Sequence, residues 1–132
     1  MKIHQILAVL LLIIVAIFGL QIALAQVPAI KRIDLQRHDL SAPGRETIQA
    51  IVEIAPGQAS PRHTHPGEEI IYVLEGTLEY EIDGKVSRVK AGDVLFVPAG
   101  APHLARNLGS GRGAELATYV VEKGKPLITI VD

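Results

Sequence analysis

Gly57-Gln-Ala-Ser-Pro-Arg-His63-Thr-His65-Pro-Gly-Glu-Glu69-Ile-Ile-Tyr-Val-Leu-Glu-Gly76 is the stretch that decides how this 132-residue chain folds. Its second half, Glu69 to Glu75, is rich in Ile, Val and Tyr and ends at a glycine, the composition of a short β-strand closed by a turn. In the first half, His63 and His65 stand two residues apart. Side chains alternate in an extended chain, so both imidazoles project to one side, roughly 6.5 to 7 Å apart along the strand. Two rings placed in this way can converge on one ion. A carboxylate from Glu68-Glu69 would add negative charge and a hard oxygen, and such a mixed site suits Mn, Fe, Co, Ni or Zn in the divalent state.

A second segment supplies a third histidine from elsewhere in the chain: Gly92-Asp-Val-Leu-Phe-Val-Pro98-Ala-Gly100-Ala-Pro-His103-Leu-Ala-Arg-Asn107. Four protein ligands would leave open positions on a six-coordinate metal, which distinguishes a reactive site from a closed structural one. The other two histidines read differently. His4 lies in an apolar leader, and His38, in Gln36-Arg-His-Asp-Leu40, reads as a solvated residue.

Outward from these segments the chain keeps one rhythm. Thr47–Ile54, Glu69–Glu75, Thr77–Ile82, Asp93–Val97, Ala114–Val121 and Leu127–Val131 all read as strands, separated by Pro56-Gly57, Pro66-Gly67, Gly76, Asp83-Gly84, Gly92, Pro98-Ala-Gly100 and Gly109-Ser-Gly-Arg-Gly113. Short strands at such intervals predict an all-β sandwich or barrel. Thr77-Leu-Glu-Tyr-Glu-Ile82 alternates by strand rules, so Leu78, Tyr80 and Ile82 share a face, and Asp83-Gly84 is a two-residue hairpin turn. Between Val27 and Gly44 the text is polar and mixed, so residues 26–46 read as an arm leading to a barrel over residues 47–132. No helix of useful length is expected after the leader.

That leader is a positive end at Lys2, an unbroken apolar run from Ile6 to Leu20, and small residues at Ala23 and Ala25. It reads as a signal peptide, residues 1–25, cleaved after Ala25 to leave 107 residues exported to the periplasm or beyond. The competing reading is an uncleaved inner-membrane anchor, since 20 residues from Ile6 to Ala25 are enough to span a bilayer core. The balance of 13 basic against 14 acidic residues, with no basic stripe, argues against nucleic acid as a partner. The absence of cysteine excludes disulfides, a thiol nucleophile and a lipid-bearing cysteine.

The two segments resemble the paired motifs of the cupin superfamily. Gly57, His63, His65, Glu69 and Gly76 occupy the places of the first motif, and Gly92, Pro98, Gly100, His103 and Asn107 those of the second. Fifteen residues, Thr77 to Ala91, separate them, similar to the spacing of small bacterial single-domain cupins. The resemblance implies a double-stranded β-helix, a jelly-roll barrel, with one divalent metal ion on His63, His65, Glu69 and His103. It selects Glu69 over Glu68 and leaves Asn107 to fix a turn or strand end. Cupins of this pattern include dioxygenases, decarboxylases, isomerases, lyases and hydrolases as well as non-catalytic proteins, so fold alone does not choose a reaction. Two classes therefore stand: a metal-dependent enzyme, dioxygenase-like or decarboxylase- or isomerase-like, acting on a small oxygen-rich or carboxylate compound, and a periplasmic metal or small-ligand binding protein. Arg62, Tyr72, Tyr80, Arg106 and Tyr119 could line a cavity, or could equally be strand residues facing solvent, and no catalytic acid, base or nucleophile stands out. Open sheet edges and the resemblance together predict a homodimer.

Overall fold

The structure is a computed structural model that describes residues 28–132 together with Ile3; the leader reading of residues 1–25 otherwise lies outside the described residues. The described residues form ten strands: β1 (Ile30–Asp39), β2 (Arg45–Ile54), β3 (His63–Thr64), β4 (Gly67–Glu75), β5 (Thr77–Ile82), β6 (Lys85–Lys90), β7 (Val94–Val97), β8 (His103–Asn107), β9 (Gly113–Glu122) and β10 (Thr129–Ile130). They make two five-stranded antiparallel sheets, in the orders β1-β2-β9-β4-β7 and β10-β3-β8-β5-β6. Residues 28–132 contain no helix, and no helix among the described residues is long and apolar enough to cross a membrane. This is the expected all-β jelly roll.

Strand alternation sets what faces inward. In the first sheet the inner positions of β9 are Glu115, Ala117, Tyr119 and Val121, and those of β4 are Gly67, Glu69, Ile71 and Val73. Registration across the strands arranges them in rows: Ile48, Tyr119, Glu69 and Val97 in one; Ala50, Ala117, Ile71 and Leu95 in the next; then Arg32, Val52, Glu115 and Val73. The second sheet contributes Leu78, Tyr80, Ala105 and His103 from its inner face, and Ile54, Ile71, Val73, Leu78, Tyr80 and Val97 form the main core between the sheets. Leu78 and Tyr80 are buried and Ile82 packs against that core, so the alternation read from the sequence holds. Asp83 and Gly84 adopt φ values of 48° and 76°, the two positive angles that an Asp-Gly hairpin supplies, and Ile82 pairs with Lys85 across the turn.

The segment read as an arm over residues 26–46 carries a strand of its own. Ile30–Asp39 is a full strand along β2, with Ile30 opposite Ile54 and Asp39 opposite Glu46. A register shift between Asp34 and Gln36 breaks its alternation, so no two-residue period runs the length of the segment. Three short strands also lie outside the six expected ones. β6 is an edge strand whose charged text, Lys-Val-Ser-Arg-Val-Lys, is exposed at all but Val89. β3 and β8 carry the histidines and owe their place to pairing rather than to apolar composition.

Candidate metal centre

His63 and His103 are brought together by direct pairing, since they are opposite residues of β3 and β8. His65 follows two residues after His63 on the same side, and Glu69 arrives from β4 in the other sheet. Ring centroids of the three histidines lie 4.3 to 5.0 Å apart, and their ligand nitrogens all fall within 4.8 Å of one another. His65, Glu69 and His103 are buried and His63 is partly exposed. Glu68 is only half-buried and makes no contact with the rings, so of the adjacent pair it is Glu69 that points inward.

Each ring is oriented by its Nδ1. His63 Nδ1 lies 2.8 Å from the Pro61 carbonyl, His65 Nδ1 2.7 Å from the Leu127 carbonyl, and His103 Nδ1 2.9 Å from the Ala101 carbonyl. A carbonyl only accepts, so each Nδ1 carries the proton and each neutral ring keeps a lone pair on Nε2. Backbone carbonyls thus hold the tautomer that a metal-binding imidazole needs. Glu69 Oε2 lies 3.3 Å from His65 Nε2 and 3.2 Å from His103 Nε2. A carboxylate facing two nitrogen lone pairs requires something positive between them. His65 Nε2 is buried without a hydrogen-bond partner, which is the mark of an atom placed for a cation. The spacings are close to the roughly 3.0 Å expected of two adjacent ligands at about 2.1 Å from one ion. Donor chemistry and geometry therefore fit a divalent transition metal.

Electrostatics point the same way. Burial alone would disfavour the Glu69 anion, but the His103 and His65 rings, once protonated on Nε2, donate to it and outweigh burial, which holds the carboxyl well below its ordinary range. Burial likewise works against a charged His103, yet the Glu69 carboxylate and the Ala101 carbonyl raise its pKa. At His63 burial wins and the pKa falls. The centre favours a carboxylate and a shared positive charge.

A cavity of about 130 Å³ opens beside these groups, bounded by His63, Glu69 and His103 at one side and by Tyr80, Glu115 and Tyr119 among its other walls. Of the residues considered as cavity liners, Tyr80 and Tyr119 are on the wall. Arg62 instead pairs with Glu81, Arg106 with Glu79, and Tyr72 is exposed on the outer face. Tyr119 packs edge-on against His65 with centroids 4.8 Å apart, and its hydroxyl accepts a hydrogen bond from Arg32 at 3.3 Å. Glu115 and Arg32 were not anticipated from the sequence. Glu115 shares parity with Tyr119 on one alternating strand, which was a usable signal; Arg32 sits in the segment read as an arm. His38 lies exposed on β1, away from the centre.

Asn107 is 1% exposed and works as a backbone clamp. Its Nδ2 donates to the carbonyls of Ile54 at 2.9 Å and Gly111 at 2.8 Å, and its Oδ1 accepts from the Gly109 N–H at 2.9 Å. It ties the end of β2 to the β8–β9 loop and so fixes the strand that carries His103.

Fold and site together define a class: a double-stranded β-helix whose interior histidines face a small cavity. Residues 50–122 match the Cupin_2 family, described as the cupin domain, and the chain belongs to that family. It is 39% identical over 88 residues to germin-like protein 1-1 of Oryza sativa subsp. japonica, covering 60% of this chain and 41% of that protein. Over 55 residues it is 40% identical to the polyketide synthase CurC of Streptomyces cyaneus, covering 41% of this chain and 36% of CurC. The chain thus spans about two fifths of the length of such curated relatives. Among solved structures, an oxalate oxidase in complex with the substrate analogue glycolate superposes with a TM-score of 0.63 at 24% identity, covering 80% of this chain and 57% of that one. The DMSP lyase DddQ of Ruegeria pomeroyi DSS-3 superposes with a TM-score of 0.58 at 27% identity, covering 64% and 43%.

Proposed function

We propose that this chain is an exported cupin that holds one divalent transition metal on His63, His65, Glu69 and His103 and acts as a metal-dependent enzyme on a small oxygen-rich or carboxylate-bearing compound. The observation that carries the reading is the set of three rings locked by Nδ1–carbonyl hydrogen bonds, with the buried, unpartnered Nε2 of His65 turned toward Glu69. When bound, the ion would polarise substrate oxygens and acidify the bonds beside them. The protein's own contribution is to fix the rings, to supply the Glu69 charge, and to limit the ligand by size. A cavity of about 130 Å³ is slightly smaller than the ~150 Å³ that accommodates benzene, so compounds of about six non-hydrogen atoms fit. Glycolate, the analogue taken by the structurally similar oxalate oxidase, has five. Turnover screening of the metal-loaded protein against small hydroxy acids, keto acids and diketones tests the reading. Conversion abolished in a His65→Ala variant supports it; binding without conversion would make the chain a small-ligand carrier instead.

The homodimer belongs to the same proposal. Ile70, Tyr72 and Leu74 on β4 and Val94 and Phe96 on β7 are 42 to 70% exposed on the outer face, with Ile70 opposite Phe96 and Tyr72 opposite Val94, and β7 is the edge of its sheet. A contiguous apolar strip at an open edge favours pairing with a second copy. Light scattering at micromolar concentration should give a dimer that Phe96→Glu dissociates, and a wild-type monomer would refute it.

A further inference from the structure

Two buried polar groups at the cavity take no part in the histidine cluster. Glu115 is 4% exposed and its Oε2 has no hydrogen-bond partner; Tyr80 is 1% exposed and its hydroxyl has none. An unsatisfied buried polar group is destabilising, a cost that Leu or Phe at the same positions would avoid. The two come from opposite sheets, β9 and β5, yet both border the cavity that His63, Glu69 and His103 border. The row between Glu115 and Tyr119 carries the small side chains of Ala50 and Ala117.

No cation is available to Glu115. Its neighbours across the sheet are Val52 and Val73. Arg32, the next residue of that row, is committed elsewhere: its Nε donates to Asp34 at 2.7 Å, its NH1 to the Tyr119 hydroxyl at 3.3 Å, and its guanidinium lies 5.1 Å from the Tyr119 ring centroid. Burial, reinforced by the charge of Glu69, pushes the Glu115 pKa well above the ordinary range. A neutral carboxyl offers one O–H donor and keeps acceptor capacity, and a phenol does the same.

We propose that the Glu115 carboxyl and the Tyr80 hydroxyl form a second subsite, which selects compounds that carry an uncharged hydroxyl or carbonyl at the end away from the metal centre. This rests on the metal-site reading above, and it narrows the substrate class from small oxygen-rich compounds to those with a neutral polar tail. A second carboxylate is disfavoured because it would lie near Glu69, while Arg32, the cation on the described walls, is engaged by Asp34 and the Tyr119 hydroxyl. An apolar tail is disfavoured because it would leave both groups unpaired, and a site built to hydrogen-bond a hydroxyl discriminates strongly against the analogue lacking it.

Three α-hydroxy acids with one head group test this: lactate, glycerate and tartronate, whose tails are methyl, hydroxymethyl and carboxylate. Calorimetric titration into the Mn(II)-loaded protein should show glycerate binding at least tenfold tighter than the other two. Glu115→Gln, whose amide both donates and accepts, should keep the preference. Glu115→Leu combined with Tyr80→Phe should reduce it below twofold, by weakening glycerate and tightening lactate, with a melting temperature no lower than wild type. Equal affinities for glycerate and lactate in a wild-type protein that takes up Mn(II) overturn the subsite and leave the metal centre standing. Failure to take up Mn(II) overturns the metal reading; the subsite then survives only if the metal-free protein still prefers glycerate in a Glu115-dependent way, and falls otherwise.

Discussion

Replacing Asn107 with alanine removes three hydrogen bonds of a side chain that is 1% exposed: two donated to the carbonyls of Ile54 and Gly111 and one accepted from the N–H of Gly109. At about 1 kcal/mol each, these account for roughly 3 kcal/mol. The expected loss is therefore about 3 kcal/mol, a sizeable share of the 5 to 15 kcal/mol typical of a domain. For a domain of about 100 residues this lowers Tm by roughly 12 to 15 °C. Asn107→Asp separates the donors from the acceptor, because aspartate keeps the acceptor for Gly109 but turns a charge toward two carbonyl oxygens. It should be at least as damaging as alanine at neutral pH. Urea unfolding of all three proteins at one metal concentration is the assay. A loss below about 1 kcal/mol for both variants would refute the clamp.

Glu115→Leu should alter the pH dependence of stability. The native pKa is raised, so as pH climbs above about 4.5 the unfolded chain ionises while the folded one keeps its proton, and wild-type stability falls by up to about 1.4 kcal/mol per unit until the native pKa is reached. Unfolding free energies from pH 5 to 8 should show the variant gaining on wild type as pH rises, and parallel profiles would contradict the assignment. Gly67→Ala should be severely destabilising, because a Cβ there would meet the Val120 carbonyl oxygen and lie 2.7 Å from Val121 Cα, both of them backbone. A loss of about 3 kcal/mol or more is expected by chemical denaturation, and a near-neutral result would mean β4 and β9 pair more loosely than their register implies.

Much of this architecture was legible because local chemistry and tertiary contacts agree. The Asp83-Gly84 turn, the alternation of β5 and the shared side of His63 and His65 follow from rules of period two, whereas Glu69, carried by the other sheet, was selected over Glu68 by the resemblance to the cupin motif. Asn107 likewise turned out to hold backbone rather than face the cluster. What the chain hid is instructive. β1 was obscured by the irregularity at Asp34 and Gln36, and with it Arg32, whose position depends on pairing with a strand distant in sequence. β3 is two residues long and exists through its partners. Glu115 was legible by parity with Tyr119, but a lone glutamate in an apolar strand looks like a solvent-facing residue until the opposite sheet is in place.

The metal content of the protein purified from its native source without chelator is the most direct test, made beside a variant with His63, His65 and His103 changed to alanine. Elemental analysis should give one equivalent of a divalent transition metal in the wild type and none in the variant, with both retaining β-sheet circular dichroism. A folded wild type that neither contains nor takes up a transition metal, or a variant that keeps its ion, would contradict the account at its centre.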